Sequence, residues 1–392
     1  MSTSGAHVAL VSKGAQDSFL LANDKDSPSH FRSRFVRHTN FVQVPRYIKT
    51  ISADDNVITI PAHGDLLNAI WFEGDVYDVN VEGSPTPTAT KIATKLFRGA
   101  TIDLFIGGVK VDSHKYEYLS DIWTSYLANT WTRAQEINNA VSQTTENFVP
   151  LQFFFCEPGC FLPLLACAFH ECEIRITFDG AQMASLTNEE KKARVYGMYT
   201  FLDTDERKRM LERESMDFVI RQVQSFTTNI DTILDNRNPG GDNSIDLSML
   251  RHPVSSLFWG WRANSADSIN DRFTFRDATL LLNGVEHFEK VTPLFCHTVQ
   301  NYYRSKFGII EFDDTNQCPF YTRFYSYHFC TSPSEYAHTG SVNFSRLDNA
   351  KLYLTGCERG ADRPVNQDLT VFAVNWQVLR FKHGLCGVLF GS

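Results

Sequence analysis

The chain has 392 residues, enough for two ordinary domains that each bury a core. Its composition, 43% hydrophobic and 21% charged, is that of a folded protein, and 31 Phe, 14 Tyr and 6 Trp favour sheets and broad buried contacts. A formal net charge of -8 disfavours packaging of nucleic acid through a basic face, and no direct nucleic-acid contact is expected.

From the N-terminus, MSTSGAHVALVSKGAQD has no basic stretch followed by a long apolar core, so no secretory signal is expected and residues 1–25 are assigned to an arm. Basic side chains then gather in Phe31-Arg32-Ser33-Arg34-Phe35-Val36-Arg37-His38. Arg32, Arg34 and Arg37 fit either the solvated face of a strand or an inner-face contact with an acidic partner or phospholipid surface. A first β-sandwich is expected over 26–185. Within it, Tyr116 to Ala140 is amphipathic around Ile122-Trp123 and Tyr126-Leu127, which predicts an inserted helix whose aromatics serve packing. The longest apolar run, Phe153 to Phe169, contains Glu157-Pro158-Gly159 and Pro163, so it is expected as two strands around a turn. From His170 to Phe178 apolar and polar residues alternate, the mark of a strand with one buried face.

Helix is otherwise scarce. Asp203-Thr204-Asp205-Glu206 has capping-box spacing ahead of a helix-favouring run through Met216, and Asp203 is expected to accept from the backbone of residue 206. This connector, 186–217, leads to a second sandwich over 218–392. There Asn238-Pro239-Gly240-Gly241-Asp242-Asn243 marks a turn, and Phe372, Val374, Trp376 and Val378 alternate with Ala373, Asn375 and Gln377 in the final strand.

The two halves repeat one another. Phe97-Arg98-Gly99-Ala100-Thr101-Ile102-Asp103-Leu104 returns as Phe275-Arg276-Asp277-Ala278-Thr279-Leu280-Leu281-Leu282, an offset of 178, and each copy runs on to a Gly-Val pair. The same offset carries Glu171 to Ile176 onto Asn349 to Leu354, and His63 through Ile70-Trp71 aligns more weakly with His252 through Phe258-Trp259. A period this long points to duplication of a whole domain.

Reactive constellations are hard to assemble. The nine cysteines, odd in number, point to reduced thiols. Cys156, Cys160, Cys167 and Cys172 with His170 invite a zinc reading, yet no paired CxxC occurs, and strand alternation already turns Cys172 and His170 inward. The twelve His never form His-x-His, and no Gly-x-Ser-x-Gly, phosphate loop or HExxH is present. No catalytic residue, metal or cofactor is expected. The residues alone leave open a carbohydrate-binding or carbohydrate-processing β-sandwich.

Spread over nearly the whole chain is a set of motifs that resembles the double jelly-roll major capsid proteins of nucleocytoplasmic large DNA viruses. They are Gly14-Ala15-Gln16-Asp17, His63-Gly64-Asp65-Leu66, the run Phe153 to Ile176, FLDTDERKRM (Phe201 to Met210), RHPVSSLFWGWR (Arg251 to Arg262), LLLNGVEHFE (Leu280 to Glu289) and FAVNWQVLR (Phe372 to Arg380). The resemblance implies two eight-stranded jelly rolls joined by a short helical connector. It further implies a non-enzymatic shell protein: homotrimeric capsomers tile an icosahedral capsid in the virion, assembled in the host cytoplasm, with minor capsid proteins and an internal membrane at the base. A minor or scaffold protein of the same particle is the neighbouring alternative.

The most recognisable motif is TGSVNFSRLDN, Thr339 to Asn349. It is expected to turn the chain into the Lys351-Leu352-Tyr353-Leu354 strand, either as an intradomain turn or as a contact with a neighbouring subunit. Gly340 would supply an unusual backbone angle, Asn343 and Ser345 would bond local amides, and Arg346 with Asp348 would tie the turn down ahead of Asn349. Asn343-Phe344-Ser345 is formally a glycosylation sequon and, without a signal peptide, is expected to stay unmodified.

Overall fold

Among the described residues, sixteen of the strands fall into two sets of eight that are wired alike. The computed structural model describes residues 15, 38–74, 96–130, 133, 148–186, 191–235, 237–261, 273–305, 324–361 and 363–391. The first set is β1 (Phe41–Ile51), β2 (Val57–Thr59), β3 (Leu66–Gly74), β4 (Thr101–Ile106), β5 (Val109–Lys115), β6 (Phe148–Pro150), β7 (Cys172–Thr177) and β8 (Ala193–Leu202). The second is β9 (Ser215–Asp231), β10 (Asn243–Asp246), β11 (Pro253–Gly260), β12 (Asp277–Leu282), β13 (Val285–Val291), β14 (Phe324–His328), β15 (Ala350–Thr355) and β16 (Asn366–Lys382), followed by β17 (Leu385–Val388).

In the first set one sheet has the order β1-β8-β3-β6 and the other β2-β7-β4-β5; in the second set the orders are β9-β16-β11-β14 and β10-β15-β12-β13. Adding eight to each number converts one set into the other. All pairings between these strands are antiparallel, and each half is a jelly roll. Duplication is therefore expressed in topology as well as in sequence.

Local chemistry explains the wiring. On β4 and β7, Ile102, Leu104, Ile106, Ile174 and Ile176 are buried while their alternate neighbours are not, so each strand offers one face to a core. The β4–β5 and β12–β13 hairpins turn through Gly107-Gly108 and Asn283-Gly284, all four at positive φ as a two-residue turn of this hand requires. Ile106 pairs with Val109 as Leu282 pairs with Val285, so these hairpins correspond at a spacing two residues shorter than the 178 read from the sequence. A shift of two keeps the same face inward. The weaker match is off by one: Trp71, like Phe258, faces out of its own sandwich, whereas Ile70 and Phe72, like Trp259, face into theirs.

Four other expectations change. Phe153 to Phe169 is not two strands: Phe154–Cys156 and Leu164–Ala166 are single tight turns, and only Leu162–Pro163 pairs, with β3. Phe153, Phe154 and Phe155 are all buried, which a strand with only one buried face could not achieve. The inserted helix, α1 (Tyr118–Leu127), is wound wide with i to i+5 bonds, and most of the remainder of the expected Tyr116–Ala140 span lies outside the described residues. A short α2 (Gly180–Ser185) precedes β8. The connector helix α3 (Thr204–Leu211) is capped by Asp203, but its carboxylate accepts from Thr204 N, and the helix stops before Met216 because Ser215 onward pairs with β16 over seventeen residues. Finally, the alternation in β16 does not separate a wet face from a dry one. Phe372 to Gln377 are buried on both faces.

The span 186–217 read as connector contains β8, which lies between β1 and β3, so the link between the two sets narrows to residues 203–214 around α3. Asp65 anchors that link: its carboxylate accepts from Leu202 N at 2.8 Å and lies 3.4 Å from Arg207 Nε.

Candidate functional site

A continuous apolar contact surface joins the two jelly rolls. The hydrophobic core of the first half does not end at its own sheets but continues into Val223, Phe258, Phe324, Phe372, Val374 and Phe381 of the second. A separate core, with Trp259, Trp261, Phe273, Phe275 and Tyr325, fills the second sandwich. β16 contributes to both, with Leu369, Val371 and Ala373 in one and Phe372 and Val374 in the other.

Helix α1 plugs this surface. Tyr126, 1% exposed, packs its ring 5.5 Å from that of Phe258 and donates its phenol to the Phe324 carbonyl at 2.7 Å. Tyr118 packs against Phe372 at 6.2 Å, and burial pushes its phenol far above the ordinary range. The outer row Phe258–Phe372, cross-strand neighbours on β11 and β16, is thus roofed by an element of the other repeat.

Polar ties fix the docking angle. Asp112 on β5 is buried; it accepts from Val223 N of β9 at 2.9 Å and sits 2.9 Å from His114 Nε2. Gln222 donates to the Val111 carbonyl at 2.5 Å. At the far end, Cys386 N donates to His170 Nδ1 and Phe169 N to the Gly384 carbonyl, clamping the β16–β17 hairpin to the first half. Two histidines lie under Tyr126: burial holds His297 down at about 4, and burial with the nearby Arg304 holds His328 down at about 3. Both are neutral at physiological pH.

The eight described cysteines are free thiols. The Cys167 thiol is pushed up first by its hydrogen bond to Cys172 and then by burial, and burial pushes Cys386 up to about 12. Among the described residues no group of three or more His, Cys, Asp or Glu is arranged to hold a metal ion.

The TGSVNFSRLDN stretch forms a turn ahead of β15. Val342–Asn343 pairs with β11, Phe344–Arg346 makes one tight turn, and Phe344 is buried. Gly340 has φ +141°, and a Cβ there would meet the Phe329 carbonyl oxygen at 2.9 Å. Asn343 accepts from Ser345 N at 3.0 Å and Ser345 Oγ from His252 N at 2.8 Å. The lower end is tied by Asn283, whose side-chain oxygen accepts from both Asp348 N and Asn349 N, in place of the expected Arg346 to Asp348 pair. Asn343, Ser345, Arg346, Asp348 and Asn349 are exposed, and the first two line a cleft of about 430 Å³ with Pro253, Trp376, Val378 and Phe390. Arg32, Arg34 and Arg37 lie outside the described residues. Sequence reasoning gave Tyr126 its packing role without its partners in the second half, and it missed the roles of Asp112, Asp65 and Asn283; none of the four stands in a reactive motif.

Comparison with known proteins agrees with this geometry. A family model described as major capsid protein N-terminus matches residues 29–208, and one described as large eukaryotic DNA virus major capsid protein matches residues 206–387. The major capsid protein of Pyramimonas orientalis virus is 31% identical, over 99% of this chain and 100% of its own. That of Paramecium bursaria Chlorella virus 1 is 26% identical over 98% of both. Among solved structures, a quasi-atomic model of the PBCV-1 virus capsid superposes with a TM-score of 0.71 at 21% identity, covering 93% of this chain and 100% of that one. The Faustovirus major capsid protein gives 0.62 at 10% identity, covering 91% and 93%.

Proposed function

Because the chain belongs to the major capsid protein family of large eukaryotic DNA viruses, we propose that three copies close into a ring-shaped capsomer and that many capsomers tile an icosahedral shell. The protein is a structural component of a viral capsid. The observation that carries the finer reading is the pair of identically wired jelly rolls locked side by side by one continuous core. A threefold ring of such chains presents six similar edges, so one sequence packs hexagonally with closed symmetry.

Burial of apolar and aromatic area is the working principle, and the role needs neither cofactor nor catalysis. Minor capsid proteins and an internal membrane at the base of the shell complete the partners, with assembly in the host cytoplasm and no direct contact with nucleic acid. The exposed row of Asn343, Ser345, Arg346, Asp348 and Asn349 is available to a neighbouring subunit, and the basic sequence around Arg32, Arg34 and Arg37 suits an inner-face partner. Family membership sets aside the carbohydrate-binding sandwich.

Native mass spectrometry of the purified chain at micromolar concentration tests the reading. Three chain masses, with a six-lobed threefold ring in negative stain, are expected; a persistent monomer overturns it.

A further inference from the structure

The two repeats differ in one respect that their shared wiring makes informative: a helix end that is covered in one carries two exposed tyrosines in the other. After β5 comes α1, ten residues from Tyr118 to Leu127; after β13 comes α4, ten residues formed by Phe295–Val299 continuing as Gln300–Arg304. Laid on one another end to end, the helices place Ser125-Tyr126 on Tyr302-Tyr303. Tyr126 is 1% exposed because the second jelly roll receives it. Tyr302 and Tyr303 are 80% and 78% exposed, with their rings 5.0 Å apart.

The receiving surface shows the reverse asymmetry. On the second jelly roll, α1 sits over the outward row Phe258–Phe372 of β11 and β16. The same place on the first jelly roll is the outward row of β3, β8 and β1, where Trp71 pairs with Tyr196 and Tyr196 with Tyr47. Trp71 stacks on Tyr196 at 5.9 Å, Tyr47 meets Tyr196 edge-on at 5.8 Å, and Tyr47 is 51% exposed. Neither Trp71 nor Tyr196 is fully buried. The chain therefore ends in a free knob on one jelly roll and a free socket on the other, of the kind that mate inside it.

We propose that α4, through Tyr302 and Tyr303, docks on the Trp71–Tyr196–Tyr47 row of a second copy of this chain. The contact is head-to-tail: the second jelly roll of one copy meets the first jelly roll of the next, as a ring requires and a two-fold pair does not. Aromatic rings with a polar tip suit such a role, since they bury large area and still satisfy a hydrogen bond, as Tyr126 does. The proposal rests on the ring-shaped capsomer reading and names the residues that close it.

Two variants, Tyr303→Cys and Tyr47→Cys, are mixed and treated with a short bis-maleimide, with the unsubstituted chain as background. A cross-link between the two variants, absent from either alone, is the expected result. A link of Tyr303→Cys to itself, or none in a preparation shown to be trimeric, overturns the docking proposal while the trimer stands. In parallel, Tyr302→Arg with Tyr303→Arg is expected to weaken subunit association on the order of tenfold or more while leaving the melting of the isolated chain unchanged, since both rings are exposed there. An unaltered trimer in that variant also overturns the proposal, and a monomeric unsubstituted chain removes the capsomer reading itself.

Discussion

The Tyr126 phenol donates to the Phe324 carbonyl at 2.7 Å, joining residues 198 positions apart and belonging to different repeats. The bond lies inside a continuous apolar core, so its loss is not made good by water. Tyr126→Phe is expected to cost about 1 kcal/mol. Tyr126→Ala, which also removes the ring from Phe258, should cost about 3 to 5 kcal/mol. Denaturant unfolding of the purified chain checks both, and equal losses in the two variants would show that the ring contributes nothing.

Acid should loosen the same interface. His297 and His328 are held down at about 4 and about 3 by burial, against 6.5 for the exposed group, so the unfolded chain binds protons that the folded chain refuses. Stability is therefore intact above about 6.5 and falls as the pH drops, by up to about 1.4 kcal/mol per pH unit for each histidine, until the folded values are reached. Melting temperature measured from pH 7 to pH 4 should decline, and His328→Gln with His297→Gln should flatten that decline.

Asp112 holds β5 to β9 through Val223 N and His114. Asp112→Ala leaves a buried amide and a buried imidazole without their acceptor and is expected to cost about 3 kcal/mol. Asp112→Asn keeps an oxygen for Val223 N and should cost less. Thermal unfolding of the pair, compared with the parent chain, gives the order.

Asn283 has two duties, a positive φ of 51° and acceptance from Asp348 N and Asn349 N. Asn283→Ala loses both and should cost about 2 kcal/mol. Asn283→Gly recovers the backbone freedom alone and should fall between the two. If alanine and glycine prove equal, backbone conformation is not part of the residue's role.

Asn343 uses its side-chain oxygen to accept from Ser345 N, inside the sequon itself. Intact mass of the chain from native particles is expected to match the unmodified sequence, and a hexose-bearing species mapped to Asn343 would contradict assembly in the cytoplasm.

Much of this architecture was legible from residue order. The repeat showed because β4 and β7 and their counterparts keep the same inward positions, where substitution is limited to residues of similar bulk. The helix start at Asp203 showed because capping is local. What the sequence concealed was non-local. Phe258 and Phe372 look like any core residues, and nothing in their neighbourhood says that they face a second domain. Asn283 stabilises a turn 65 residues downstream, while Asp65 and Asp112 look like solvated carboxylates until their partners from other strands arrive. The consecutive burial of Phe153, Phe154 and Phe155 has no periodic signature that would tell it from a strand.

The placement of β16 sets a time order on the making of this molecule. It fills the gap between β9 and β11 and carries Phe372, on which α1 rests, yet it is synthesised after every other strand except β17. Until residue 382 has emerged, β9 and β11 each lack β16 as a partner, and the wall against the first half lacks Phe372, Val374 and Phe381. A chain interrupted before Asn366 thus lacks the strand that ties β9 to β11 and the part of the inter-lobe surface on which Tyr118 rests. Closure of the second sheet and completion of the surface between the lobes are therefore one event, and it comes late in synthesis.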